Sequence, residues 1–324
     1  MIYDAVILGG GGFIGGHLTT ELLSQSKRVK VVDIKDIKDW QQVHEDADNY
    51  RFDLRDIQQA REAVKGAKTV YNLACDMGGI GFIETNKAAC MLSVLISTNS
   101  LKAAHENDTC DKYFYSSSAC VYNGQFQDSE DVTELEESMA YPANPEDGYG
   151  WEKLFSERMC RHFYEDYGFE ARVARLHNIY GPNGTYKGGR EKSIAAICRK
   201  VAEAKINNQD MIEIWGDGNQ VRSFTYIDDC VKGIQLITNG ENTDPVNLGS
   251  SEHVTINNLV KLVEEIAGVD LKKKHDLSKP QGVRGRSSDN TLINELYSWE
   301  PSTSLADGVT STYNWIYAQI LKEQ

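Results

Sequence analysis

A tyrosine and a lysine four residues apart, Tyr149 and Lys153, could together move a proton to or from a substrate hydroxyl. Both belong to a helix predicted over Asp147–Tyr167, and residues four apart lie on one face of a helix. A free tyrosine has a pKa of about 10 and is a poor base at neutral pH. Because a nearby ammonium group favours the phenolate, the pair indicates acid–base chemistry at a hydroxyl that is being oxidised.

A glycine-rich turn, with Gly9, Gly12 and Gly15 spaced three residues apart, separates the first predicted strand from the first predicted helix. Such a turn lets the backbone approach a pyrophosphate, and the helix N-terminus supplies free N–H groups and the positive end of a dipole. Asp33 ends the next predicted strand, where a carboxylate binds a ribose 2′-hydroxyl and repels a 2′-phosphate. The sequence therefore predicts NAD rather than NADP. The residues predicted to bind it are Gly9, Gly12, Phe13, Ile14, Gly15, Asp33, Asp53, Leu73, Tyr149 and Lys153.

The first half of the chain alternates between strand-like and helix-like segments. Strands are predicted at Tyr3–Leu8, Val29–Asp33, Thr69–Leu73, Lys112–Ser116 and Glu170–Arg175, and helices at Phe13–Ser24, Ile57–Val64, Thr85–His105 and Asp147–Tyr167. This alternation is typical of a parallel sheet with helices on both faces. Asp53 would end a further strand, where it either contacts the adenine or caps the next helix.

After Asn178 the regular alternation gives way to shorter and more irregular segments. We therefore predict an α/β fold: a Rossmann-type doubly wound parallel sheet with a smaller, mixed α/β substrate lobe. The NAD-binding domain is predicted over 1–177 and the substrate lobe mainly over 178–324, with a segment at about 215–250 that can rejoin the first domain. The cleft between them is the predicted ligand site. The polar stretch Gln125–Glu137 is predicted as a surface loop, and Lys272–Lys274 as a solvated turn.

Composition and charge exclude several classes of function. The 324 residues carry a net charge of −14, which disfavours binding to DNA or RNA. The sequence contains neither an apolar run long enough to span a membrane nor a signal-peptide pattern, so a cytoplasmic location is expected. The seven cysteines include no C-x-x-C pair, and the seven histidines lack metal-ligand spacing. These patterns predict free thiols and no metal site.

The stretch Ser116–Tyr122 follows a predicted strand and adds a serine, Ser118, to the candidate catalytic residues. Together with the glycine-rich turn, Asp33, the segment Asn72–Ala74 and the tyrosine–lysine pair, it resembles the extended short-chain dehydrogenase/reductase family, which includes NAD-dependent epimerases and dehydratases. The resemblance implies a catalytic set of Ser118, Tyr149 and Lys153 with bound NAD.

Other motifs resemble one group of sugar-nucleotide epimerases within that family. They are Asp76–Gly81, Ser117–Cys120, His177–Pro182, Gly184–Lys192, Trp215–Gly218, Arg222–Thr225, Gly282–Arg286 and Ser288–Asn290. This resemblance implies epimerisation of a GDP-hexose, foremost GDP-mannose, at C3 and C5 to GDP-L-galactose and GDP-L-gulose. The reaction would proceed by transient oxidation at C4, with Cys120 as the base, Lys187 as the opposing acid and re-reduction at C4.

The same resemblance implies a set of substrate contacts and a homodimer. The sugar or its phosphates would touch Gly79, Ser118, Asn178, Glu191 and Lys192, and the pyrophosphate would touch Arg286. Arg222 and Arg284 are further candidates, each of which could instead form a structural ion pair. Ser118 and Cys120 are predicted to lie on extended backbone, where residues two apart face the same side.

Two alternatives, one enzymatic and one not, compete with this interpretation. The chain could be another sugar-nucleotide enzyme of the family, such as a single-site epimerase or one that uses a different GDP-hexose or a heptose. A 4,6-dehydratase is expected to carry an acidic pair where this chain has Ala119 and Cys120, and a simple 4-epimerase needs neither Cys120 nor Lys187. A non-catalytic NAD-binding scaffold would not need Ser118, Tyr149 and Lys153 together.

Overall fold

The computed structural model describes residues 1–323, which form eleven helices and fifteen strands. The strands are β1 Tyr3–Leu8, β2 Val29–Asp33, β3 Asp48–Arg51, β4 Ala67–Asn72, β5 Lys112–Ser118, β6 Glu134–Leu135, β7 Ala171–Leu176, β8 Ile179–Tyr180, β9 Met211–Trp215, β10 Val221–Ser223, β11 Thr225–Tyr226, β12 Val246–Leu248, β13 His253–Thr255, β14 Lys272–Asp276 and β15 Gly285–Ser288. The helices are α1 Phe13–Ser24, α2 Ile57–Val64, α3 Ile80–Thr85, α4 Lys87–Met91, α5 Ser93–His105, α6 Asp147–Tyr167, α7 Ser193–Ile206, α8 Ile227–Asn239, α9 Ile256–Ala267, α10 Thr291–Tyr297 and α11 Leu305–Lys322.

Seven parallel strands form the main sheet, in the order β3-β2-β1-β4-β5-β7-β12. The order reverses between β1 and β4, and in doubly wound sheets ligands bind in the crevice that opens at the carboxyl ends of the strands there. The glycine-rich turn follows β1 at this point. The predicted Rossmann-type α/β fold is confirmed.

Side chains of β1 show how the sheet is covered on both faces. Successive residues of a strand point to opposite faces: Ile7 packs in one core cluster with Leu18 of α1, whereas Val6 and Leu8 pack in another with Leu101 of α5. All five side chains are fully buried or nearly so. The near-continuous apolar character of β1 therefore reflects burial on both sides.

A smaller lobe contains a four-stranded sheet in the order β13-β10-β15-β6 and the parallel pair β14–β9. Helices α7, α9 and α11 pack around a core of their own, centred on Val201, Leu259 and Val309. The chain crosses between the two parts, because β6 belongs to the smaller sheet and β12 to the main sheet. The division into domains at 177 and 178 stays a prediction.

Three local predictions were wrong. The helix expected over Thr85–His105 is divided at Asn86, whose side chain donates to the Phe82 carbonyl oxygen at 3.0 Å and competes with helical pairing. Lys272–Lys274 forms β14 rather than a turn, and Lys273 pairs with Glu264. The stretch Gln125–Glu137 is not wholly on the surface, because Gln127 and Leu135 within it are buried.

Within residues 1–323, no helix is both long and apolar enough to cross a membrane. The same residues contain no group of three or more His, Cys, Asp or Glu side chains that could hold a metal ion.

Candidate active site

A cavity of about 1270 Å³ lies at the carboxyl ends of the central strands, between the main sheet and the smaller lobe. Its walls come from the glycine-rich turn, the start of α6, the loop 181–192 and the loop 280–283. Single small-ligand pockets usually measure roughly 300–1,000 Å³. The cavity is therefore large enough for a dinucleotide and a second ligand together.

The glycines of the turn allow two close backbone approaches. Gly9 has a φ of 79°, and a Cβ on it would lie 2.8 Å from the Ala74 Cα atom; a Cβ on Gly15 would lie 2.6 Å from the Gly10 Cα atom. Among the described residues, no side chain caps the N-terminus of α1, which begins after Gly12. Its first N–H groups therefore remain available to an anion.

Acidic groups follow the turn at the positions that the sequence predicts. Asp33 is buried at the end of β2, and its Oδ1 accepts from the Lys35 backbone N–H at 3.0 Å. Asp53 lines the cavity but pairs with the Arg55 guanidinium, and Asp56, not Asp53, caps α2. The predicted contacts Gly9, Gly12, Phe13, Ile14, Gly15, Asp33, Asp53, Leu73 and Tyr149 all line the cavity. Glycine backbone, a free helix N-terminus and a carboxylate fit a dinucleotide of the NAD type.

Tyr149 and Lys153 lie in the first two turns of α6, beneath the cavity. Tyr149 is 5% exposed and faces the cavity, whereas Lys153 is buried behind it, with Nζ 5.7 Å from the centre of the Tyr149 ring. Lys153 Nζ donates to the Ser116 carbonyl oxygen at 2.8 Å. Burial raises the pKa of Tyr149 well above its usual value, and the charge of Lys153 opposes that rise. For Lys153, burial lowers the pKa, whereas the neighbouring Cys75, Glu152 and Tyr149 raise it, and the net result is a pKa above the usual value.

Ser118 and Cys120 both line the cavity; Ser118 has the predicted extended backbone, whereas the prediction was wrong for Cys120. Strand β5 ends at Ser118, and the next three residues form one turn of 3₁₀ helix instead of extended chain. The cause is local, because Ser118 Oγ accepts from the Cys120 backbone N–H at 3.2 Å and closes the turn. On the other side, Arg286 Nη1 lies 3.7 Å from the Cys120 sulfur as a hydrogen-bond donor.

The two lysines of the loop 181–192, of which Lys187 is the predicted acid, have different surroundings. Lys187 is 56% exposed, does not line the cavity, and its Nζ lies 2.5 Å from Glu323 Oε1 beyond the end of α11. That hydrogen bond raises the pKa of Lys187. Lys192, directly before α7, lines the cavity. Lys192 is exposed, and the surrounding protein lowers its pKa, while the nearby Cys120 thiol opposes that change.

Most of the predicted substrate contacts also meet at the cavity. Gly79, Asn178 and Glu191 line it, as do Ser118 and Lys192. A Cβ on Gly79 would lie 2.4 Å from the Glu191 carbonyl oxygen, so these two loops touch through their backbones. Asn178 has a φ of 45° and donates to the Ser223 carbonyl oxygen at 2.9 Å. Glu191 is held by Arg199, which leaves its position well defined.

The three candidate arginines differ in their partners. Arg284 does not line the cavity; it forms ion pairs with Asp217 and Glu130, so the structural alternative holds for this residue. Arg222 lines the cavity, donates only to backbone carbonyls, and has no carboxylate of residues 1–323 within 4.0 Å. Burial lowers the pKa of Arg222 to about 10. Arg286 lines the cavity but is already paired with Glu146.

Two cavity residues were missed by the sequence analysis. Glu146 precedes α6 and pairs with Arg286, and Cys75 lines the cavity near Lys153. Glu146 lies three residues before Tyr149, about one helical turn away, so helical spacing alone would have marked it as a neighbour. Nothing in the sequence marks Cys75.

A family model described as the NAD dependent epimerase/dehydratase family matches residues 5–249. The chain belongs to this family, which makes it an NAD-dependent enzyme and confirms the resemblance. It is 44% identical over 322 residues to "GDP-mannose 3,5-epimerase 1" of Oryza sativa subsp. japonica, covering 98% of this chain and 82% of that protein. It is 42% identical over 319 residues to "GDP-mannose 3,5-epimerase" of Arabidopsis thaliana, covering 98% and 83%.

Among solved structures, the chain is similar to a UDP-glucose 4-epimerase of Thermotoga maritima, crystallised with UDP-glucose. The TM-score is 0.87 and the sequence identity 24%, and the match covers 98% of this chain and 99% of that one. At this level of identity the likeness supports the fold and not the substrate.

Proposed function

We propose that this enzyme epimerises GDP-mannose at C3 and C5, giving GDP-L-galactose and GDP-L-gulose. The observation that carries the proposal is the presence of a thiol and an ammonium group, Cys120 and Lys192, in the same cavity as Tyr149. The similarity to two plant enzymes named for this reaction supports it. A 4-epimerase inverts C4 by oxidation and re-reduction and needs only the tyrosine and its lysine, whereas inversion at C3 and C5, next to the ketone, needs a second acid–base pair.

The reaction begins at the C4 hydroxyl of the mannose ring. Bound NAD supplies the oxidation of that alcohol to a ketone and its later re-reduction. Tyr149 accepts the hydroxyl proton at its phenolic oxygen, and Lys153 favours the phenolate through its positive charge. Ser118, at the end of β5, holds the C4 oxygen by a hydrogen bond. The backbone of the glycine-rich turn and Asp33 bind the cofactor.

A ketone at C4 makes the hydrogens at C3 and C5 acidic, because the electron pair left behind is delocalised as an enolate. Cys120 as thiolate takes the carbon proton: the S–H bond forms, the C–H bond breaks, and the electron pair moves towards the C4 oxygen. Lys192 delivers a proton to the opposite face and inverts the carbon. Its lowered pKa favours this role, since a weaker hold on the proton makes a stronger acid.

The pyrophosphate is proposed to bind at Arg222. Arg222 lines the cavity and its guanidinium donates only to backbone carbonyls, so a phosphate can supply the negative charge that no carboxylate of residues 1–323 provides. Gly79, Asn178 and Glu191 are proposed to contact the sugar from the loops around it. Arg284 is not proposed as a substrate contact, because its guanidinium already forms ion pairs with Asp217 and Glu130.

The decisive experiment is incubation of the purified protein with GDP-mannose in D₂O, without added NAD, followed by proton NMR of the sugar. We expect loss of the C3 and C5 proton signals as deuterium enters, together with new galactose and gulose signals. Exchange at only one carbon would favour a single-site epimerase. No exchange, even after NAD is added, would exclude GDP-mannose as the substrate.

A homodimer is proposed from the apolar surface of two neighbouring helices. Leu95 of α5 and Trp151 and Phe155 of α6 are 43%, 44% and 49% exposed, and α5 packs against α6. Apolar side chains exposed side by side mark interaction surfaces. A cytoplasmic location stays a prediction.

Replacing Phe155 by lysine places a charge within this apolar surface and is expected to convert a dimer into a monomer, as measured by light scattering after size exclusion. Leu236→Lys is the matched control, since Leu236 is 39% exposed on α8, away from the patch. A wild-type protein that is monomeric, or a Phe155→Lys variant that remains dimeric, would contradict this interface.

A further inference from the structure

Arg286, in the wall of the cavity, has three side-chain partners, and one of them is the sulfur of Cys120. Its Nε donates to Gln127 Oε1 at 2.6 Å, its Nη2 pairs with Glu146, and its Nη1 donates to Cys120 Sγ at 3.7 Å. The arginine is 6% exposed, so these contacts are made largely out of water. Charged hydrogen bonds are stronger in such surroundings than at the surface.

Glu146 connects this arginine to the backbone of the cysteine. Its backbone N–H donates to the Cys120 carbonyl oxygen at 3.0 Å. A Cβ on Gly150, four residues further along α6, would lie 2.3 Å from the same carbonyl oxygen, so a glycine is needed for this approach. The Cys120 turn, the start of α6 and the Arg286 guanidinium are therefore held as one unit.

We propose that Arg286 is a positioning residue that acts through Cys120: it holds the sulfur in place and stabilises its thiolate, while Glu146 offsets part of that charge. The inference rests on the proposed role of Cys120 as a base. It is a role beyond the pyrophosphate contact that the resemblance implies for the same residue, and it rests on the contacts that Arg286 makes with Cys120, Glu146 and Gln127.

Other charged or titratable groups also lie near Cys120. Arg222 on β10, Lys192 before α7 and Tyr149 on α6 each interact with it electrostatically. Within residues 1–323, however, only Arg286 donates a side-chain hydrogen bond to the sulfur. The thiolate should therefore respond to Arg286 more strongly than to the other two cations.

The test measures the pH midpoint of Cys120 alkylation by iodoacetamide, followed by mass spectrometry of the Cys120 peptide in protein without substrate. The thiolate is the reacting form, and an adjacent cation favours it by about one unit or more. Arg286→Gln is expected to move the midpoint up by about one unit. Glu146→Gln keeps an acceptor for Arg286 but removes the negative charge, and is expected to move the midpoint down by about half a unit.

The double variant Arg286→Gln with Glu146→Gln avoids a buried unpaired carboxylate and should still show the upward shift. Arg161→Gln is the control, since Arg161 pairs with Glu165 and Asp244 at the surface of α6. If all variants titrate like the wild type while Arg286→Gln raises KM alone, Arg286 binds only the phosphates and the proposal is overturned. Absence of Cys120 alkylation up to pH 9 would also overturn it. Failure of the wild type to turn over GDP-mannose would instead count against the proposed function.

Discussion

Replacing Lys192 by alanine is expected to slow epimerisation of GDP-mannose by about 10²–10⁴-fold, the usual contribution of a positioned acid. Replacing Lys187 by alanine is expected to leave the rate near that of the wild type. The reason is location, because Lys192 lines the cavity with Cys120 whereas Lys187 pairs with Glu323 outside it. The pKa directions agree: the protein around Lys192 lowers its pKa, and Glu323 raises that of Lys187.

The two variants are matched, since each removes one lysine from the same loop and can be followed by the same NMR assay of product formation. Deuterium entry at C3 and C5 separates acid loss from substrate loss, because Cys120 in the Lys192→Ala variant can still remove a proton. The opposite result, with Lys187→Ala inactive and Lys192→Ala active, would restore the assignment made from the sequence. It would also require the loop to bring Lys187 inward when substrate binds.

The choice between these lysines shows where prediction from sequence stops. The motif Gly184–Lys192 locates the loop, but both lysines lie within it, and the sequence does not tell which one faces the cavity. Gly188 and Gly189 both have positive φ values, 93° and 84°, so the chain turns sharply between the two lysines. That turn, together with the contact between Lys187 and Glu323, which is 136 residues further along the chain, directs Lys187 away from the cavity.

Contacts between residues distant in the sequence also limited the prediction of which arginines bind substrate. Arg284 and Arg286 are two residues apart, and both were predicted as substrate contacts. Asp217, which pairs with Arg284, is 67 residues away in the sequence. Glu146, which pairs with Arg286, is also distant in the sequence, so neither pairing can be read from neighbouring residues.

Residues placed by the geometry of a single strand, turn or helix lie where the sequence predicts them. The glycine-rich turn, Asp33 at the end of β2 and Tyr149 line the cavity, and Lys153 lies one turn after Tyr149 behind its wall. Their spacing follows from strand and helix geometry alone.

Replacing Tyr149 by phenylalanine is expected to abolish both product formation and deuterium entry at C3 and C5, with a loss of about 10²–10⁴-fold. Without a base for the C4 hydroxyl there is no ketone, and without the ketone the hydrogens at C3 and C5 do not become acidic.

Cys120→Ala should differ from Tyr149→Phe in one respect. Oxidation at C4 remains possible, so the absorbance of the reduced cofactor should still appear when GDP-mannose is added. Together, the two variants separate the oxidation step from the inversion step.

Stability is not expected to explain the Tyr149→Phe result. The Tyr149 hydroxyl makes no hydrogen bond to another described residue, so phenylalanine preserves the packing against Ile83 and Cys90 and leaves no partner unsatisfied. Tyr167→Phe, on the same helix but 61% exposed, is the matched control and should retain full activity. Deuterium entry in Tyr149→Phe at the wild-type rate would mean that another group removes the hydroxyl proton.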